Sequence, residues 1–385
     1  DAATGIQRVT RNILYQLLLH PPEGFEIEAV YAPVAKTADD LGYRKAAKFT
    51  AKMLNLTENE SDELIEPIPG DIFLGLDLQH DVLDTQFEYL KLLKNYGVLV
   101  YYIVYDLLPI QFPEYWPKET LVDTLHSKWL LKISKFDGLI CISRSVADEL
   151  IDWIGLNLPK RHRPLKVGWF HLGADMDKIR ENKGKKEEIA LNFGKKLTFL
   201  MVGTIEPRKR YDQVLEAFDL LWKEGIKANL VIVGKQGWLV KDLVKKMNSH
   251  AKKNINFFWF EGVTDEVLDK IYQESDCLIA ASAGEGFGLP LIEAANNNLP
   301  IIARNISVFK EVAGDNAFFF EGNKGNDLCL AIKKWINGYK LNQHPKPNIK
   351  FLTWSESANH LKEVIIGNNW YKKVKLNDQE ISKEN

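Results

Sequence analysis

The sequence predicts an α/β protein made of two doubly wound, Rossmann-like domains. Three observations carry that prediction. Short apolar, β-rich runs alternate with helix-length amphipathic segments along the chain, which is the pattern of parallel sheets covered by helices on both faces. A charged stretch within residues 178–196, containing Glu-Asn-Lys-Gly-Lys-Lys-Glu-Glu, separates those runs into two sets and suits a surface linker. The chain of 385 residues, 45% hydrophobic and 26% charged, is long and apolar enough to bury two cores of ordinary size.

Taken in order, the first half offers strands near residues 27–32, 71–76, 97–105, 137–142 and 166–170. The second half offers them near 197–202, 229–233, 255–260, 276–280, 299–303 and 317–320. Residues 1–177 are therefore expected to form an N-terminal domain and 178–350 a C-terminal one. Asp1-Ala-Ala-Thr-Gly5 reads as a loop entering a helix over 8–19 with no strand ahead of it, so a first strand is expected outside the given chain. Residues 351–371 hold a helix with Ser355 as its expected cap. The remaining residues, 372–385, read as a loose polar tail.

Bulk properties exclude several classes. Fifty basic residues against 52 acidic ones leave a formal charge of -2, so nothing global marks a nucleic-acid binder, and any anion site must be local. Cys141, Cys277 and Cys329 are far apart, two of them in apolar strand-like runs. They read as reduced core thiols of a cytoplasmic protein. No run approaches the ~18 apolar residues needed to cross a bilayer.

Two strand–loop–helix segments carry chemistry. Residues 276–295 read Asp-Cys-Leu-Ile-Ala-Ala-Ser-Ala-Gly-Glu-Gly-Phe-Gly-Leu-Pro-Leu-Ile-Glu-Ala-Ala. Pro290 suits the first helical position, where its missing N–H has no intrahelical acceptor to lose. The N–H groups of Gly286, Phe287, Gly288 and Leu289 would face an anion or sugar placed above the helix start. Glu285 and Glu293 can border the same pocket and accept hydrogen bonds from vicinal hydroxyls. The bland reading is a tight strand-to-helix turn with a solvated first-turn acid. The other segment, Phe199-Leu-Met-Val-Gly-Thr-Ile-Glu-Pro-Arg-Lys-Arg-Tyr211, places adjacent Arg208 and Lys209 after a strand and before a helix over 213–222. That is where ligands bind in open α/β sheets, and the two cations suit a diphosphate.

These two segments, in this order, resemble the C-terminal domain of the family 4 glycosyltransferases of the GT-B fold. Thr4-Gly-Ile-Gln-Arg-Val-Thr-Arg11, Asp106-Leu-Leu-Pro-Ile110, Cys141-Ile-Ser-Arg-Ser145 and Trp354-Ser-Glu-Ser-Ala358 extend the likeness over most of the chain. The resemblance implies two domains facing each other across a cleft, with the last helix crossing back to the N-terminal one. It implies that Arg208 and Lys209 bind the donor diphosphate, Glu285 contacts the transferred sugar, and Glu293 holds the ribose. Val263 and Thr264 would seat the base, Gly5, Gly203 and Thr204 would border the donor, and Asp106 would be the N-domain acid near the reacting centre. There are two departures. Thr204 follows Gly203 where many relatives carry an arginine soon after the glycine, and Tyr105 precedes Asp106 where many carry histidine.

The resemblance extends to bacterial mannosyltransferases of O-antigen and other surface polysaccharides. It implies retaining transfer of mannose from GDP-mannose to a polyprenyl-linked glycan, without metal or other cofactor. A UDP-sugar donor, a nucleotide-sugar epimerase of the same fold and a non-catalytic glycan- or nucleotide-binding subunit are the alternatives. Weaker signals have bland readings too. Asp175-Met-Asp177 could mimic a metal-binding triplet, and 158–164, rich in Lys and Arg, could touch anionic headgroups and make the protein peripheral on the cytoplasmic membrane. The aromatic run 112–117 could stack on sugars or simply pack, and His171 reads as structural.

Overall fold

Each apolar run expected between residues 71 and 320 forms a strand in the computed structural model, which describes residues 5–56, 61–158, 163–174 and 193–375. Internal contacts divide the chain into two units. Unit 1 takes Asp1–Ile110, Asp123–Arg180 and Leu352–Asn385; unit 2 takes Gln111–Val122 and Glu181–Phe351.

Unit 1 contains β1 (Val30–Tyr31), β2 (Arg44–Lys45), β3 (Ile72–Gly75), β4 (Leu99–Val104), β5 (Gly138–Cys141) and β6 (Leu165–Trp169). Its helices are α1 (Gly5–Leu19), α2 (Ala47–Leu54), α3 (His80–Tyr96), α4 (Leu108–Gln111), α5 (Val122–Ile133) and α6 (Arg144–Asn157). Strands β3 to β6 pair in parallel, in chain order. Their Val, Ile and Tyr side chains are nearly all buried, as a sheet covered on both faces requires. The strand expected at 27–32 is a correction. It shrinks to Val30–Tyr31 and pairs antiparallel with β2, apart from the main sheet. Among the described residues β3 carries no strand on its outer edge. A cavity of about 1260 Å³ runs there, lined by Ile27, Ala29, Ile72, Leu74 and Leu14 among others.

Unit 2 contains β7 (Leu197–Val202), β8 (Ala228–Val233), β9 (Phe257–Phe260), β10 (Cys277–Ala280), β11 (Ile301–Arg304) and β12 (Phe318–Phe320). Its helices are α7 (Tyr211–Lys223), α8 (Lys241–Asn248), α9 (Asp265–Gln273), α10 (Leu289–Asn296), α11 (Ser307–Ala313) and α12 (Gly325–Lys340). All strands are parallel, in the order β9-β8-β7-β10-β11-β12. This is the order in which a doubly wound sheet reverses direction between its first and fourth strands, here β7 and β10. Val214, Phe218 and Leu221 of α7 meet Leu328, Ile332 and Trp335 of α12 in the core beneath.

The chain then returns to unit 1 through α13 (Trp354–Ile365) and β13 (Lys372–Val374). Two expectations fail here. Thr353, not Ser355, caps α13: its hydroxyl accepts from Glu356 N at 3.2 Å, and the Glu356 carboxylate accepts from Thr353 N at 2.7 Å, closing a capping box two residues earlier. Lys372 to Val374 are not loose, because they pair antiparallel along the open edge of β6 and so satisfy its backbone groups. Residues 376–385 lie outside the described residues, as do most of the charged stretch, Asp175, Asp177 and residues 159–162.

The three cysteines are buried and unbridged. Among the described residues no helix is long and apolar enough to cross a membrane, and no group of three His, Cys, Asp or Glu stands ready to hold a metal ion.

Candidate active site

Ligands of an open α/β sheet sit outside the carboxyl ends of the strands where the strand order reverses. In unit 2 both segments singled out by sequence leave the sheet at that point, one after β7 and the other after β10. Gly203 turns the chain out of β7 with φ +135°, a left-handed conformation that side chains resist. Its carbonyl lies 1.8 Å from where a Cβ on Gly234 would stand, so the neighbouring loop also needs glycine. The turn Pro207–Lys209 follows, and Arg210 at φ +61° redirects the chain into α7. Tyr211 locks this turn by donating from its hydroxyl to Gly203 O at 2.6 Å. Its phenol is pushed far up by burial.

The β10 segment docks on this turn through backbone and side chain together. Ala283 N donates to Arg208 O at 2.8 Å, and Arg208 donates back to Gly284 O at 3.0 Å. Arg208 also pairs with Glu285 Oε2 at 2.8 Å and with Glu206 Oε1 at 2.6 Å, while Lys209 Nζ pairs with Glu285 Oε1. Only 11% of the Glu285 side chain is exposed. Burial pushes its carboxyl up, but the Arg208 and Lys209 charges outweigh that and bring it down to about 2. Two cations thus face two carboxylates, Glu206 and Glu285, and are held ready but already engaged. Gly288, at φ +102°, opens α10, with the Phe309 ring only 2.8 Å from where a Cβ would sit. Pro290 is the second rather than the first residue of α10, still within the turn whose N–H groups have no intrahelical acceptor. A small cavity here is lined by Lys209, Ser282, Glu285, Gly288 and Pro290.

The other expected residues fall around this junction with different freedom. Thr204 lies beside Gly237, whose own Cβ would meet its methyl at 3.0 Å. The Phe287 ring is buried, which leaves its backbone as the part that can meet a ligand. Val263 and Thr264 follow β9; the Thr264 hydroxyl caps α9 by accepting from Val267 N at 3.4 Å. Glu293, on α10, accepts from the Tyr272 hydroxyl at 2.8 Å. Sequence reasoning missed Tyr272, which carries no motif and becomes visible only because α9 lays its last turn against α10.

Gly5 and Asp106 belong to unit 1. Gly5 is the first residue of α1, and Asp106 follows β4, where its Oδ1 accepts from Leu108 N at 3.1 Å. Tyr105, standing where many relatives have histidine, is buried and donates to Leu76 O at 2.6 Å, so it acts as a strut between β4 and the β3 loop. Behind Asp106 lies a pair of histidines that no motif connects. His126 Nε2 is 3.0 Å from Asp106 O, and His126 Nδ1 is 3.1 Å from His80 Nε2. His171 accepts from the Ser357 hydroxyl at its carbonyl and packs against Trp169, a structural placement.

Residues 182–350 match the family model described as "Glycosyl transferases group 1". That stretch contains both loops of the junction. This stretch of the chain is thus a group 1 glycosyltransferase domain. The chain is 39% identical over 371 residues to the serotype-specific mannosyltransferase WbdA of Escherichia coli, covering 94% of this chain and 44% of WbdA. The chain thus spans less than half the length of that relative. The O-antigen chain mannosyltransferase RfbU of Salmonella typhimurium is 23% identical, over 65% of this chain and 63% of its own. Among solved structures, Anabaena HepE in complex with UDP and glucose superposes with a TM-score of 0.53 at 15% identity, over 76% of this chain and 73% of HepE. The pneumococcal O-GlcNAc transferase GtfA, in complex with UDP and GlcNAc, gives 0.55 at 15% identity, over 78% and 57%. These likenesses agree on the fold, which is GT-B.

Proposed function

We propose that this glycosyltransferase moves mannose from GDP-mannose, with retention of configuration, to a hydroxyl of a growing polyprenyl-linked surface polysaccharide. The observation that carries the reading is the convergence of Arg208, Lys209 and Glu285 on the α10 start, at the reversal point of the unit 2 sheet. The 39% identity to a mannosyltransferase supports the choice of sugar. In this reading the donor diphosphate takes over Arg208 and Lys209 from Glu285, and the released carboxylate turns to the hydroxyls of the transferred sugar. The acceptor oxygen bonds to the anomeric carbon on the face from which the diphosphate leaves, and the departing phosphate oxygen takes the acceptor proton. No carboxylate nucleophile is required. Charge growing on the diphosphate is met by Arg208, Lys209 and the backbone N–H groups that open α10.

Glu293 receives the ribose hydroxyls, Val263 and Thr264 flank the base, and Asp106 stands on the acceptor side. The reaction proceeds without metal at the cytoplasmic face of the membrane. The test is sugar transfer from GDP-mannose, UDP-glucose and UDP-N-acetylhexosamines to a panel of short mannosides, with a chelator present throughout. The expected result is transfer from GDP-mannose alone, unaffected by the chelator. Transfer from a UDP-sugar would overturn the donor assignment, dependence on added metal would overturn the mechanism, and epimerised donor without transfer would make the protein an epimerase.

A further inference from the structure

We propose that His126 and His80 form a neutral hydrogen-bonded pair that holds the main chain of Asp106 in place, making them positioning residues for the acceptor side of the reaction. This rests on the reading of Asp106 given under Proposed function. The three residues come from separate elements: His80 opens α3, Asp106 follows β4 and His126 lies within α5. The carbonyl of Asp106 can only accept, so the His126 Nε2 that stands 3.0 Å from it carries the proton. His126 is 1% exposed, and its ring stacks on Trp129 at 5.4 Å with an angle of 24°. A second proton there would be a buried charge, so Nδ1 keeps its lone pair. His80 Nε2, 3.1 Å away, must then be the donor. Both imidazoles are fixed as the Nε2–H tautomer, in a directed chain from His80 through His126 to Asp106.

The charges that bear on this chain are few. Asp81 on α3 acts on His80, and Asp106 itself presents its backbone to His126 while Oδ1 accepts from Leu108 N. Asp106 is thus held at its carbonyl by His126 and at its carboxylate by the start of α4. Loss of the first would free the peptide plane, and the carboxylate would shift, together with the Leu108 amide that it accepts from, away from any position set for an acceptor hydroxyl. Because such chemistry is sensitive to small displacements, the consequence should appear in turnover before it appears in stability.

The test combines spectroscopy with three variants. In ¹⁵N-labelled wild-type protein near neutral pH, His126 and His80 should both show the protonated Nε2 and bare Nδ1 pattern. His126→Phe keeps a ring against Trp129 but removes both hydrogen bonds, and it should lower kcat about tenfold or more with donor affinity unchanged. His126→Gln, whose amide can again donate to Asp106 O, should recover most of that loss, and His80→Phe should show a smaller loss of about threefold. A folded His126→Phe protein with wild-type kcat and KM, or no recovery in His126→Gln, overturns the positioning role. A protonated Nδ1 on His126 overturns the pair itself. If His126→Phe does not fold, the wild-type spectra and His80→Phe decide. Wild-type protein that transfers no sugar overturns the proposed function and the positioning role with it, while the spectra still decide the pair.

Discussion

The two units present different chemistry at the carboxyl ends of their sheets. In unit 2 the groups are charged and paired: Arg208 and Lys209 against Glu285, with Glu206 behind them. In unit 1 Asp106 is backed by the neutral His80–His126 pair, and the preceding Tyr105 turns its hydroxyl to Leu76 O and Thr10. The contrast matches what each side would receive. A diphosphate needs cations in place beforehand, and holding those cations against a carboxylate keeps them ordered until it arrives. A sugar hydroxyl needs direction more than charge, which neutral donors and acceptors of fixed tautomer provide.

Removing Glu285 should break the contrast most. Glu285→Ala deletes the carboxylate proposed to contact the sugar, and turnover should fall by at least about a hundredfold. It also leaves Arg208 and Lys209 without the partner they share, so the affinity for free GDP should rise rather than fall. Kinetics and calorimetry on the same preparation check both halves. Equal loss of turnover and of GDP affinity would mean that Glu285 supports the site rather than competing for its cations. Lys209→Ala is the complementary change: GDP affinity should drop about tenfold or more, with turnover falling alongside.

Acid should separate the units. Burial lowers His80 and His126 to about 4, with the neighbouring ring adding to the effect on His80. The unfolded chain therefore binds protons from about pH 6.5 downward that the folded pair refuses, and unit 1 loses stability as pH falls from 6.5 towards 4. Glu285 is held at about 2, so its contribution is fully present above the ordinary carboxylate range and is lost as pH falls from 4.5 towards 2. Thermal melting followed against pH should show the His80→Phe protein with a flatter profile in the first window and Glu285→Gln with a flatter one in the second. A wild-type Tm that is level between pH 6.5 and 4 would contradict the neutral pair.

The same contrast explains what could be read before the structure. The unit 2 junction was legible because each half of it is contiguous in sequence: a strand, a glycine turn, charged residues and a helix start follow one another, so chemistry and local geometry sit in one string. The strand order completes it, bringing β7 beside β10. His80 and His126 lie 46 residues apart on different helices, and neither sits in a recognisable motif, so only packing reveals them. β13 escaped notice for a related reason. Three residues with two lysines have no apolar alternation to detect, and what makes them a strand is the open edge of β6. The α13 cap lies two residues before the expected one because both Thr353 and Ser355 are suitable types, and the choice falls to the one whose hydroxyl meets Glu356 N while Glu356 returns the bond.

Tyr272 offers the smallest and sharpest change. It is 3% exposed on α9, and its hydroxyl donates to Glu293 Oε2 at 2.8 Å, which orients the carboxylate proposed to meet the ribose. If unit 2 works by holding its carboxylates in place before the donor arrives, Tyr272→Phe should raise the donor KM about fivefold, the worth of one hydrogen bond to a charged group, with kcat nearly unchanged because the ribose is distant from the breaking bond. Glu293→Gln should have a comparable or larger effect on KM, and the double variant should be no worse than Glu293→Gln alone, since the hydroxyl acts only through that carboxylate. Additive losses in the double variant would show that Tyr272 meets the donor by itself, and the preorganised carboxylate would then give way to a tyrosine that binds the nucleotide directly.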